Sequence, residues 1–316
     1  MLNLAPLLLS AAPLLAQDAA PEPPSDLFQR VVVIGASASA GFGLSTELKA
    51  RVRLGAVLAC ALPENAGEVH DLGTAAFFSS PAEYGERLVT AAIEEQPTLV
   101  VGVDFLFWYA FGTRPDAARP ELFERGLAEL ERLECPILLG DLPDVSHALE
   151  GKGPFGRPLL SPNHLPPASM LASFNARLGE WADGRANVTI APLAAYLSRV
   201  RDGQDVELRG NRWAPASLEA MTQEDRLHPT VEGTAAISIL LLDALVGDRD
   251  DIDADSVRWK LSGILQRLMA ATAEERSERL DKERRRDERR RARDKRRREE
   301  EGAGGLSAWW TPRRAG

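Results

Sequence analysis

From Arg30 onward, short aliphatic runs alternate with longer stretches in which apolar residues return every three or four positions. Residues 31–35 (VVVIG), 98–103 (TLVVGV), 136–143 (PILLGDLP) and 187–193 (NVTIAPL) are near-continuous apolar runs of strand length. That is how strands buried on both faces read. A weaker strand is expected over 68–72. Between these runs the spacing predicts helices over 44–62, 81–95, 120–134 and 168–182. In the third of them Phe123, Leu127 and Leu130 form a single core-facing stripe. A last helix is expected to open at Pro229, a residue suited to the first helical position, and stays apolar through Ile237, Leu240, Leu241 and Leu245. Strands alternating with such helices predict an α/β fold, a parallel sheet covered on both faces, whose sites lie at the carboxyl ends of its strands.

Both ends of the chain break this pattern. Residues 1–16 (MLNLAPLLLSAAPLLA) are a short Leu/Ala-rich run ending in a small residue, with no Lys or Arg before it. The run reads as a secretory leader or as a disordered apolar one; Pro6 and Pro13 make it a poor membrane span. Export to the periplasm or exterior is the expectation, with residues 17–29 as a linker. Residues 249–301 are expected as a helical, highly charged extension, because 274–301 are nearly all Arg, Lys, Glu and Asp. With no apolar stripe, a long solvated helix held by i,i+4 ion pairs is expected rather than a coiled-coil seam. Its arginine clusters could touch an anionic surface. Residues 302–316, with Trp309 and Trp310, are expected as a flexible tail.

Composition adds limits. A chain of 316 residues with 44% hydrophobic content can bury a sizeable core, and a net charge of −9 argues against a general nucleic-acid binder. Cys60 and Cys135 either pair or remain as two buried thiols. Their spacing, and that of His70, His147, His164 and His228, suggests no metal site.

The candidate chemistry begins at Gly35–Gly41 (GASASAG), where Ser37 follows the first strand on a turn of small residues. A serine is a weak nucleophile until a base takes its proton. A matching base appears late, in Asp225-Arg226-Leu227-His228-Pro229: an acid three residues before a histidine can hold its tautomer and stabilise its cation. Ser…Asp…His is one of several chain orders that build a triad. A phosphate-loop reading of residues 31–43 fits poorly, because Gly35-Ala36-Ser37 breaks the G-x-G start.

These pieces resemble the SGNH/GDSL hydrolases. That family carries Gly-Asp-Ser after its first strand, Gly after its second, Gly-x-Asn after its third and Asp-x-x-His before its last helix. Gly35-Ala36-Ser37, Gly73, Gly102-Val103-Asp104 and Asp225…His228 stand at those places, with Ser39 and Gly41 continuing the turn and Gly233 following the histidine. The resemblance covers residues 30–246 and implies a three-layer α/β/α sandwich with a flavodoxin-like parallel sheet, here a domain over 30–248. It implies an esterase, lipase or deacetylase that needs no cofactor and no metal. Ser37, Asp225 and His228 would be catalytic, and Ser37, Gly73 and Asp104 would lie at the oxyanion hole. Substrates would be small-molecule, lipid or acylated-sugar esters; no specific nucleic acid and no transmembrane segment are implied. Two departures stand out: Ala36 for Asp, and Asp104 for the Asn whose amide donates to the oxyanion. A carboxylate accepts but cannot donate. Asp104 therefore keeps a second reading open, a catalytically impaired binding or surface module. The aromatic run 105–111 (FLFWYAF) reads equally as the wall of an acyl pocket or as a buried turn of helix.

Overall fold

A computed structural model describes residues 26–214 and 216–307. The expected leader, residues 17–25 of the expected linker and the Trp309-Trp310 pair lie outside the described residues. Five strands, β1 (Arg30–Val33), β2 (Glu68–Asp71), β3 (Leu99–Gly102), β4 (Ile137–Gly140) and β5 (Val188–Ala191), form one sheet in the order β2-β1-β3-β4-β5, every neighbouring pair parallel. This is the flavodoxin-like order, with its topological switch between β1 and β3. A small antiparallel hairpin, β6 (Val206–Leu208) and β7 (Asn211–Trp213), stands apart from it.

The helices in chain order are α1 (Leu44–Leu48), α2 (Leu54–Ala61), α3 (Pro81–Glu94), α4 (Phe107–Ala110), α5 (Arg119–Leu130) and α6 (Ala168–Asp183). They continue with α7 (Leu193–Arg201), α8 (Ser217–Met221), α9 (Val231–Asp248), α10 (Leu261–Ala271) and α11 (Ala273–Ser307). Because side chains alternate along a strand, each strand feeds two cores. Val31, Val33, Leu99, Val101 and Leu138 pack with α2, α9 and α10 on one face. Val32, Ile34, Val100, Ile137 and Leu139 pack with α3, α5 and α6 on the other. The three-layer α/β/α sandwich expected from the sequence is present. Cys60 and Cys135 are free thiols, and they sit in the two different cores.

Several elements differ from the sequence pattern, each for a local reason. The single helix expected over 44–62 is two, α1 and α2, because Lys49 takes a left-handed φ of 60° and ends the first. The break lets the Leu54 N–H reach back 3.1 Å to the Ser39 carbonyl. The last helix of the sheet begins at Val231 rather than Pro229, since the Thr230 hydroxyl accepts the Gly233 N–H and caps it. Gly233 itself lies against the Met221 carbonyl, where a Cβ would come within 2.0 Å. The expected linker ends in a buried turn, Asp26–Phe28, whose Leu27 and Phe28 join the core.

The expected charged extension also divides. Its α10 is part of the core, with Ile264 and Leu268 fully buried against α2 and α9. Burying each such side chain contributes about 1.5–3 kcal/mol. Only α11 is the solvated charged helix, and its first turns are docked. Arg276 donates to the Leu48 carbonyl at 3.0 Å and Arg279 to the Ser45 carbonyl at 3.1 Å. Both are carbonyls of the short α1, a helix end that leaves acceptors without intrahelical partners. Farther on, pairs such as Arg284–Asp281 and Arg290–Asp287 lie on the surface; exposed pairs of this kind contribute about 0–1 kcal/mol. The helix runs on to Ser307, through residues 302–307 expected as tail. Among the described residues no helix is long and apolar enough to cross a membrane.

Candidate active site

The turn after β1 is built around a cavity of backbone N–H groups, and Asp104 fills it. Its Oδ1 accepts the Ala36 N–H at 2.9 Å and the Ser39 hydroxyl at 2.5 Å; its Oδ2 accepts the Ala38 N–H at 2.8 Å and, more distantly, the Ser39 N–H at 3.4 Å. Gly35 makes room for this. Its φ of 148° favours glycine, and a Cβ there would lie 2.2 Å from Asp104 Oδ1 and 2.4 Å from Ser39 Oγ. Gly41, at φ 71°, lets the Val52 carbonyl approach where a Cβ would come within 2.1 Å. Ser37 is thereby presented, half-buried, at the carboxyl end of the sheet.

The loop before α9 brings the base. His228 Nε2 lies 2.8 Å from Ser37 Oγ, and its Nδ1 lies 2.7 Å from Asp225 Oδ2. A carboxylate at Nδ1 selects the tautomer with its proton there, which leaves Nε2 free to accept from the serine hydroxyl. The other Asp225 oxygen accepts the N–H groups of Leu227 and His228, both at 2.9 Å. Burial pushes the Asp225 carboxyl up, but the hydrogen bonds from the His228 ring and from these two N–H groups outweigh it, so its pKa falls below the usual carboxylate value. Between acid and base, Arg226 adopts a left-handed φ of 55°, an uncommon conformation for a side-chain-bearing residue.

Two residues that the sequence did not single out join the halves. Phe42 stacks on the His228 ring with centroids 4.3 Å apart. Gln223 donates its amide to the Phe42 carbonyl at 2.6 Å and to the Pro229 carbonyl at 2.8 Å. Neither stands out by periodicity or motif. Gly43 is the one hint: a Cβ there would lie 2.0 Å from Gln223 Oε1.

The expected oxyanion residues are placed less simply. Asp104 is an acceptor for the turn itself, taking the N–H groups of Ala36 and Ala38 and the Ser39 hydroxyl. Gly73 packs against Ser39 and Ala40, 2.9–3.0 Å from a built Cβ, so glycine is required there. Its N–H, however, donates to Asp71 Oδ1 at 3.2 Å. The Ser37 N–H has no partner among the described residues.

Residues 105–111 divide between the two readings of that run. Phe105, Leu106, Tyr109, Ala110 and Phe111 are buried core, while Phe107 and Trp108 are half-exposed. Trp108 lies 5.9 Å from the exposed Phe78 ring. The nearby loops are pinned by the buried Arg119, which donates to the carbonyls of Ala110, Gly112 and Asn163. The other histidines lie elsewhere. His70 pairs with Glu68 and Glu95, His164 bonds Ser161, and burial lowers the pKa of His147. No group of three or more metal-ligating side chains occurs among the described residues.

No protein-family model and no curated protein matches the chain. Among solved structures it is similar to TesA, at 18% identity and TM-score 0.43 over 70% of this chain and 100% of that one. It is also similar to a GDSL-like lipase from Bacteroides thetaiotaomicron, at 13% identity and TM-score 0.41, covering 71% of this chain and 90% of that one. The psychrotrophic esterase EstA from Pseudoalteromonas sp. matches at 13% identity and TM-score 0.40, over 69% and 97% of the two chains. The sheet order and helix layers described above are those that the sequence resemblance to the SGNH/GDSL hydrolases implies.

Proposed function

We propose that this chain is a serine-dependent ester hydrolase of the SGNH/GDSL type. The observation that carries the reading is the continuous contact chain from Ser37 Oγ through the His228 ring to Asp225, with distances of 2.8 and 2.7 Å. The Ser37 hydroxyl gives its proton to His228 Nε2 as its oxygen attacks the ester carbonyl. Asp225 stabilises the imidazolium that results. The Ser37 N–H donates to the oxygen that gains charge. Collapse of the tetrahedral intermediate expels the alcohol, which takes the proton back from Nε2, and leaves an acyl-serine. Water, deprotonated by the same nitrogen, then releases the acid and restores Ser37.

The substrates this chemistry suits are acyl esters of small alcohols, lipids or sugars. On the same reading, residues 1–16 export the chain and α11 rests on an anionic surface. Fractionation of cells making the full chain tests the first, and salt-sensitive retention on anionic vesicles tests the second. Retention that ignores salt would dismiss an electrostatic contact.

The activity is tested by hydrolysis of p-nitrophenyl acetate and butyrate by wild type, Ser37→Ala and His228→Ala. The expected result is hydrolysis by wild type and background rates for both variants; a Ser37→Ala protein as fast as wild type would refute the reading. The second reading, an impaired binding or surface module, is favoured by one observation, the acceptor role of Asp104. It predicts a well-folded wild type without hydrolysis.

A further inference from the structure

We propose that Asp104 is a positioning residue that clasps the nucleophile turn, with Ser39 as its partner, and takes no part in oxyanion donation. The inference rests on the ester-hydrolase reading and deepens it. Ser37 sits between Ala36 and Ala38, and the N–H groups of both neighbours donate to the one Asp104 carboxylate, at 2.9 and 2.8 Å. The Ser39 hydroxyl completes the set at 2.5 Å. Converging backbone N–H groups form a concave anion-binding cradle. In this chain the anion is supplied internally, from the residue two positions beyond the end of β3. A substrate oxygen therefore cannot use the Ala36 or Ala38 N–H, whereas the Ser37 N–H between them has no partner among the described residues.

Three sequence features become one device. Gly35 leaves the space, since a Cβ there would overlap both Asp104 Oδ1 and Ser39 Oγ. Ser39, fully buried, offers a hydroxyl that fits a carboxylate. Asp104 offers two accepting oxygens where an amide offers one. In either flip, an asparagine at this position would set its NH₂ against the Ala36 N–H or the Ala38 N–H. A donor facing a donor leaves a partly buried N–H without an acceptor and releases one side of the turn.

This gives opposite signs for one substitution. If Asp104 clasps the turn, Asp104→Asn slows reaction at Ser37. If Asp104 is a damaged oxyanion amide, the same change restores a donor and speeds it. The experiment measures the second-order rate of fluorophosphonate labelling, p-nitrophenyl acetate kcat and KM, and Tm. It uses the full chain as wild type, Asp104→Asn, Ser39→Ala and the double variant. Asp104→Asn should label about 10–100-fold more slowly, the size of effect that a displaced reacting group produces. The loss should fall on kcat rather than KM. Ser39→Ala should lose less, and the double variant should be no worse than Asp104→Asn, because both changes act on one clasp.

An Asp104→Asn protein that labels as fast as wild type or faster overturns the proposal. Should Asp104→Asn fail to fold, Ser39→Ala decides it: a folded Ser39→Ala protein with wild-type labelling overturns the clasp. Labelling by Asp104→Asn where wild type shows none overturns this inference alone. Silence from both, in folded protein, overturns the ester-hydrolase reading and the clasp with it.

Discussion

The loop that carries His228 closes largely on itself. Asp225 accepts the N–H groups of the two residues that follow Arg226, the Gln223 N–H donates to the His228 carbonyl, and Thr222 bridges Pro229. The turn that carries Ser37 draws its support from distant parts of the chain. Asp104 fills its N–H cradle, the Leu54 N–H reaches the Ser39 carbonyl, and the Thr74 N–H reaches the Gly35 carbonyl. Neighbouring segments touch this loop, as where the Lys152 N–H donates to the Glu224 carbonyl at 2.7 Å, but the bonds that set the acid against the base lie within residues 222–229. The nucleophile has its shape only once β1, β2 and β3 lie side by side, so its geometry depends on the whole sheet. Loss of either half should disable the site, by different routes.

The largest effect should come from the atoms at the meeting point. Ser37→Ala or His228→Ala should lower kcat by about 10⁴–10⁶, as removal of a nucleophile or base does in comparable triads. Near-wild-type turnover in either would remove the basis of the comparison. Asp225→Ala strikes the local half and should cost about 10⁴ in kcat. Its folded-state pKa is depressed, so its carboxylate stabilises the native protein above the unfolded value, about 3.9. That contribution is lost as pH falls through the lower native value. Urea titrations should therefore separate wild type from Asp225→Asn at about pH 7 and show that gap narrowing progressively as pH is lowered below the unfolded value.

Gly35→Ala strikes the non-local half. The added methyl displaces Asp104 and Ser39, and the expected cost is about 1–3 kcal/mol, as for overpacking elsewhere. Labelling should slow while the Asp225–His228 contact survives, visible as a retained downfield Nδ1 proton in NMR. Loss of that proton together with labelling would mean that the two halves are not independently held. The smallest effect is expected at the bridge between them. Gln223→Ala leaves the Phe42 and Pro229 carbonyls without their amide partner, which should lower stability by about 1–2 kcal/mol in thermal or urea unfolding. Unchanged stability would show that water satisfies both carbonyls.

The same contrast governs what the sequence reveals. The strands are legible because a buried parallel strand is a continuous aliphatic run, as residues 98–103 and 136–143 are. The base and its acid are legible because their partnership spans three residues, Asp225 to His228. Ser37 is legible through the small residues around it. Asp104 is visible as a departure from a motif, but its use is not, because its partners lie 65–68 residues away. Gln223 and Phe42 carry no pattern at all, since they meet only when residues 181 positions apart are brought together. For the same reason α10 reads as the start of a charged extension, although Ile264 and Leu268 complete the core beside α9. The buried Arg119 carries no mark in the sequence, because the carbonyls it serves, those of Ala110, Gly112 and Asn163, come together only in the fold.

The central claim is that Ser37 is activated by His228. It is tested most directly by treating the full chain with a fluorophosphonate and locating the adduct by peptide mass spectrometry, in wild type and in His228→Ala. The account predicts one adduct, on Ser37, formed by wild type and lost in His228→Ala. An adduct on another residue, or no adduct on a folded wild type, would contradict it.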